Sequence, residues 1–517
     1  MKKIFSLILL LIITLQVASC KVNDTSSFES LDNLSSECEL ESFLIESANN
    51  VWLFRDLKFR VTDSKVISVF DSYPCIFTEP LVLTFEHTGS LLLVDGKVVI
   101  SGSTPVLLSE TTIITVVAQD GTKKNYSLNT YDSSNGLPAF FINTVDGDAV
   151  TSRFDYKDAT ISVIGSKGKS FYSAAAQIRV RGNSTAGYDK KPYRIKFELA
   201  QDVLGMGKYK SWVMLALFFD RTLIRTEIVT RFANKLDGLD YVPDMQLAEV
   251  YLNNEYVGVY DIGHQIDVDD GKVEIEQGSS AVDTGYLLET DARYTEEGYE
   301  LGVDCFMLGS SYMCICSPET VTKEQYKYIS EYLNRVNRLL IAKSEYVWNY
   351  IDMDSFIDWY IVNELTRNVD SAMFLSCRMY KEAGGLLYMG PIWDFDLSCG
   401  NADYGDMENP EGWYVRHAVL FTSLFKYTEF RQALKDRWNE LIDTAIPEIF
   451  EDIDYYEASI KKAYNANFKK WSIFGTYIWP TPAVIVTYTT QKQHYDYLRN
   501  YLTLRIEWLD KEINALT

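Results

Sequence analysis

The spacing of apolar and polar positions changes several times along the chain. An apolar run over residues 4–17 follows Lys2 and Lys3 and ends in the small residues Ala18 and Ser19 before Cys20. It is too short to span a membrane as a helix and has the plan of a signal peptide, residues 1–19. Residues 20–37 are Ser-, Asn- and Asp-rich after the cysteine, the composition of a flexible tether. Short apolar runs then alternate with turn residues: 81–85, 91–94 and 112–117 read as strands, with Asp95-Gly96 and Asp120-Gly121 as hairpin turns between strands. This pattern predicts an all-β sandwich of Ig or cadherin type over residues 38–132. It holds no catalytic constellation, which makes it a spacer or a binding module.

Residues 133–136 (Ser-Ser-Asn-Gly) form a second linker, and a mixed region starts at Leu137. Residues 140–142, 161–164, 177–180 and 193–197 read as strands, 223–236 has helical spacing, and 248–262 reads as two strands around Asn253-Asn254. After Tyr326 the pattern is mainly helical and closes on an amphipathic stretch at 491–516. A β-rich half followed by a helical half predicts an α+β domain of two lobes over residues 137–517.

Composition sharpens this reading. The 517-residue chain is 47% hydrophobic and 23% charged, the balance of a folded protein. With 49 Lys and Arg against 72 Asp and Glu, its net charge of -23 repels phosphate backbones, so nucleic acid is excluded as a partner. Residues 17–20, Val-Ala-Ser-Cys, resemble a bacterial lipobox, which would make Cys20 the lipidated N-terminus and fix the protein to a membrane of the cell envelope, facing periplasm or cell surface. That leaves Cys38, Cys75, Cys305, Cys314, Cys316, Cys377 and Cys399, an odd number. Cys314 and Cys316 alternate on one strand face without CxxC or His-rich company, so buried free thiols are favoured. A Cys38 to Cys75 bridge stays open as an alternative.

The densest candidate chemistry lies at residues 363–370 (Asn-Glu-Leu-Thr-Arg-Asn-Val-Asp) and 390–401, with Asp394 and Asp396 on an aromatic frame. Paired carboxylates there are costly to bury unless a cation meets them, and a hard divalent metal with phosphate oxygens in its shell would do so. Phosphoryl transfer needs such a metal, cationic contacts to the phosphates, and a carboxylate that orients the attacking hydroxyl. Asp394 and Asp396 are the metal candidates. Asn368 and Asp370 are candidates for a further metal contact and the base, and residues 179–196 supply positive charge around the polar turn 181–185 (Arg-Gly-Asn-Ser-Thr). Ion-paired structural aspartates and a solvated basic hairpin are the bland readings of the same residues.

The turn 181–185 together with 190–196 (Lys-Lys-Pro-Tyr-Arg-Ile-Lys) resembles the signature of the spore-coat-protein-H (CotH) kinase family. The resemblance continues through Asp220, Arg225, 249–253, 258–260, 285–289, 363–370, 390–396 and the last helix at 498–510, covering nearly all of 137–517. It implies an atypical protein-kinase-like fold that uses ATP and Mg²⁺ or Mn²⁺ to phosphorylate Ser or Thr of protein substrates. By that analogy Asp370 is the catalytic aspartate, Asp394 the metal ligand and Asp396 a second one. Arg181, Arg194 and Lys196 contact the nucleotide phosphates. Two departures stand out: Gly263-His264-Gln265 replaces the usual Glu-Gln, and Cys316 stands where a lysine precedes Ser317-Pro318. They motivate the alternative of a weak or inactive kinase-like surface lipoprotein that binds or adheres.

Overall fold

The computed structural model describes residues 34–51, 56–68, 80–109, 111–129, 137–164, 170–253, 255–278 and 280–517. The signal peptide, Cys20, Cys75 and the linker 133–136 lie outside these residues. The chain forms two compact units, one within the residues up to Tyr131 and one comprising Asp132–Thr517 with short pieces of the earlier chain.

In the first unit, strands from Leu40–Ile45 to Lys123–Asn129 join in an eight-stranded order, and Leu81–Val82 pairs separately with Pro105–Val106. Alternate residues turn inward: Leu92 and Val94, Ile114 and Val116, and Tyr126 and Leu128 are buried. Strands Leu91–Val94 and Lys97–Val99 meet through Asp95 (φ 48°) and Gly96 (φ 79°). A two-residue hairpin loop whose central positions both need positive φ explains the Asp-Gly pair.

The second unit is built on a closed barrel in the order Ala139–Thr144, Lys157–Ile164, Ser170–Val180, Tyr193–Asp202, Lys208–Leu215, Glu255–His264 and Met245–Leu252. The last strand closes it by pairing parallel to the first, Ala139 opposite Glu249. Ile161, Ile178, Ile195, Trp212, Val250 and Ile262 fill the interior, each at most 1% exposed. The closure leaves no open sheet edge among these strands.

A five-stranded sheet follows, ordered Cys305–Leu308, Ser311–Ser317, Tyr286–Asp291, Leu375–Lys381 and Leu387–Met389. Helices Lys323–Ile341, Met353–Thr366, Thr428–Ile442, Ala445–Ser459 and Gln491–Asn514 carry most of the remaining core. The terminal helix starts at a capping box, Thr490 with Gln493, and buries Tyr495, Leu498, Leu502, Leu509 and Ile513 on one stripe. Mixed α and β content matches the α+β expectation. The stretch after Tyr326 is not uniformly helical, however. Leu375–Lys381 is buried on both faces, so it lacks the alternation by which a strand is recognised. Among the described residues no helix is long and apolar enough to cross a membrane.

Candidate active site

A cleft of about 1350 Å³ opens in the second unit, bordered by barrel strands, the five-stranded sheet and the loops that follow helix Met353–Thr366. Its basic wall comes from strand alternation. Ile178, Val180, Tyr193 and Ile195 point into the barrel, so Arg179, Arg181, Arg194 and Lys196 point the other way, and all four line the cleft. Arg179 sits directly opposite Arg194 across the ladder, and its guanidinium is held by the Arg153 and Val180 carbonyls and lies over the Tyr156 ring. Between Arg179 and Arg194, Gly182 takes φ 80°, and a Cβ at that position would collide with the Thr185 hydroxyl. The turn keeps its glycine for both reasons.

The acidic wall is positioned by a helix that is buried nearly all round. Met353–Thr366 begins at Asp352, whose carboxylate accepts from Ser355 N at 2.8 Å, and ends at Arg367 in the left-handed region, φ 45°. The reversal there turns the chain toward Asp370. Asn368 is buried and joins the two acidic segments: its Oδ1 accepts from Asp370 N at 3.3 Å and its Nδ2 donates to Trp393 O at 3.4 Å. Asp394 has φ 66°, an uncommon conformation for a residue with a side chain. The loop beyond is pinned by Asn401 Nδ2 to Asp396 O at 2.7 Å, Arg225 Nε to Ser398 O at 3.1 Å and Cys399 N to Thr366 O at 2.7 Å.

Asp370, Asp394 and Asp396 all line the cleft. Burial, followed by the nearby Asp394 charge, pushes the Asp370 carboxyl up to about 7. Burial also raises Asp394, with Arg181 and Arg378 pulling the other way. Asp396 is held well above the carboxylate range by burial and by repulsion from Asp394, Asp220 and Asp370, with the Leu397 amide its one local support. Carboxylates that are buried, short of donors and within reach of one another's charge are unfavourable in their ionised form.

Other groups in the cleft come from separate elements. Arg378 pairs with Glu289 at 2.7 Å, and Arg378 and Arg181 lie 5.6 and 5.5 Å from the Trp393 ring. Arg153, Asp267, Asp291 and Arg293 also border it. Of Arg378, Glu289, Arg153, Asp267, Asp291 and Arg293, only Glu289 falls in a segment that stands out in the sequence; Arg378 lacks a local motif and is brought in by pairing across strands, and Arg293 lies in the turn that follows Tyr286–Asp291.

A model of the CotH kinase protein family matches residues 178–509. The chain belongs to the CotH kinase protein family. No curated protein matches it. The matched span contains Arg181, Arg194, Lys196, Asn368, Asp370, Asp394 and Asp396, and all but Asn368 border the cleft directly. Two basic residues of the CotH segment 190–196 are placed elsewhere. Lys190 is buried, its Nζ donating to Val259 O at 2.5 Å and Asn467 Oδ1 at 2.9 Å, and Lys191 donates to Ala186 O. His264 is likewise a buried structural residue, with Nδ1 at 3.1 Å from the Tyr241 hydroxyl and Nε2 at 2.6 Å from Met206 O.

Among the described residues, no group of three or more His, Cys, Asp and Glu side chains is arranged to hold a metal ion by itself. Mg²⁺ takes one or two carboxylates and completes its shell with phosphate oxygens and water, and Asp394 with Asp396 is that kind of donor set. A divalent cation there would offset the burial and repulsion that raise both carboxyls.

Proposed function

We propose that this CotH-family chain is an atypical protein kinase that transfers the terminal phosphoryl group of ATP to Ser or Thr hydroxyls of a protein substrate, using Mg²⁺ or Mn²⁺. The observation that carries the reading is the presence of two opposed charge sets in one cleft: Arg179, Arg194 and Lys196 on barrel strands with Arg181 at the turn between them, and Asp370, Asp394 and Asp396 on the loops. Cations alone would suit any anion, and acids alone would be an unfavourable cluster. Together they match the needs of phosphoryl transfer.

Arg181, Arg194 and Lys196 bind the phosphates by charge and by donor groups, and Arg378, from the five-stranded sheet, adds a guanidinium near Arg181 at the Trp393 ring. A divalent cation on Asp394 and Asp396 would screen the phosphate charge during transfer. Asp370 orients the acceptor hydroxyl and takes its proton, and a carboxyl near 7 is suited to accept and release that proton at neutral pH. Asn368 positions Asp370 relative to the Asp394 segment. The departures at His264 and Cys316 do not empty the cleft of charge, because His264 is used structurally and the Arg378–Glu289 pair lies beside Cys316.

The cell-envelope setting belongs to the same proposal. Lipid on Cys20 would anchor the chain, with residues 38–132 as a spacer or binding module before a two-lobed kinase-like domain at 137–517. Replacing Cys20 by Ala should release the protein from membranes and abolish acyl labelling; unchanged membrane association would contradict the anchor. The kinase reading is tested by transfer from labelled ATP to a protein acceptor mixture with Mg²⁺ or Mn²⁺. Asp370→Ala should retain nucleotide binding and lose about 10²–10⁴-fold in transfer, the range for a positioned base. A parent that neither binds nor turns over nucleotide with any divalent metal would leave the binding-protein alternative.

A further inference from the structure

The five-stranded sheet ends in a hairpin, Cys305–Leu308 and Ser311–Ser317, whose outer strand is the last of the sheet and is met beyond it by a single bridge from Leu301 to Cys305. Cys305 and Cys314 are direct partners across this hairpin, and their sulfurs are 2.8 Å apart. Directly opposed residues of an antiparallel pair have Cα atoms about 4.5 or 5.5 Å apart, and both spacings lie inside the range a disulfide spans. Both side chains are fully buried. Cys316, two residues on, contacts the Tyr299 hydroxyl and Glu289 instead, and Cys377 contacts the backbone carbonyls of Asp370 and Leu375. The thiol pairing is therefore specific to two of the described cysteines.

We propose that Cys305 and Cys314 form a cross-strand disulfide in the mature protein. Two thiols lose their protons and two electrons, both S–H bonds break and one S–S bond forms. The oxidant is a disulfide compound that is itself reduced to two thiols by exchange. The contact with Cys305, followed by burial, raises the Cys314 thiol far above its ordinary range. Once made, the bond ties the outer strand Cys305–Leu308 to Ser311–Ser317. That strand pairs in turn with Tyr286–Asp291, the strand presenting Glu289 and Asp291 to the cleft. The bond would thus hold one cleft wall in register without entering the site, and it does not depend on the kinase reading.

The test refolds the full chain in a glutathione and glutathione-disulfide buffer, traps free thiols with iodoacetamide and measures intact mass and chymotryptic peptides. Leu308 and Tyr312 lie between the two cysteines, so cleavage there separates them unless sulfur joins them. The expected result is a peptide pair containing Cys305 and Cys314 that separates on reduction, with both positions protected from the alkylator. Alkylation of both in the refolded protein, linkage of either to Cys316, or glutathione on Cys305 would overturn the assignment. Cys314→Ser serves as a second variant: Cys305 should become alkylatable after denaturation without prior reduction, whereas continued protection would show that another partner holds it.

Discussion

Glu364 and Asp394 belong to the same unit, and both flank the chain around Asp370. Their surroundings differ completely. Glu364 accepts from Arg505 Nη2 at 2.7 Å, from Tyr414 N at 2.8 Å and from Arg416 N at 3.0 Å, and both members of the ion pair are at most 1% exposed. Asp220 is treated in the same way, by the backbone and guanidinium of Arg225 and by Thr222. Asp394 and its neighbours face the cleft with repulsion among themselves and guanidiniums only at a distance. A buried carboxylate surrounded by donors is a structural fastener, and one left short of donors beside a cleft is poised for something that is not protein.

Arg505 is where loss of a fastener should cost most. Besides Glu364, its guanidinium holds the carbonyls of Pro410 and Gly412, so it ties the terminal helix to the loop beside helix Met353–Thr366. Arg505→Ala leaves a buried carboxylate without its cation and should cost about 3–5 kcal/mol in denaturant unfolding. A loss under 1 kcal/mol would show that the pair is not a fastener.

Asp370 gives a smaller effect with a distinctive pH dependence. Its folded carboxyl is raised to about 7, against an unfolded value near 3.9. The stabilisation from holding that proton is complete below the unfolded value and is lost as pH rises through about 7. Asp370→Asn should therefore be more stable than the parent at pH 8, by on the order of 1–4 kcal/mol, and nearly equal to it at pH 4. Thermal melts at the two pH values check this, and equal differences at both would reject the shift. In the parent, phosphoryl transfer should rise through the same window, moving to lower pH when divalent metal is saturating.

The smallest effect is expected at the exposed Lys124–Glu39 pair of the first unit, 2.5 Å apart but solvated. Lys124→Ala should leave the melting temperature unchanged within error, since exposed ion pairs contribute little. A clear drop would mean that proximity alone fastens, and the contrast between the two kinds of acid would lose its basis.

Much of the site was legible because its residues come in short, dense segments. Residues 181–185 and 390–396 bring Arg181, Asp394 and Asp396 to the cleft with their immediate neighbours. Strand alternation also explains why Arg194 and Lys196 face outward while Ile195 enters the barrel. The same reasoning does not place Lys190, which precedes the strand and is drawn inward by Val259 and Asn467, residues far away in sequence. Arg378 was illegible for a related reason: it lies on Leu375–Lys381, where burial on both faces erases the strand pattern, and its partner Glu289 is on another strand. The Cys305 and Cys314 pairing depends on hairpin register, which Cys314 and Cys316 alone do not reveal.

The most direct measurement compares the parent with Asp394→Asn for thermal stability, with and without saturating Mg²⁺-ATP. The parent should gain stability on adding Mg²⁺-ATP, as any protein does when its folded state alone binds the ligand. Asp394→Asn should be at least as stable as the parent when free of ligand, because one repelling charge is gone, and should lose most of the Mg²⁺-ATP gain. A variant that is markedly less stable than the parent without ligand, yet retains the full gain with Mg²⁺-ATP, would show Asp394 to be a fastener like Glu364 and contradict the account.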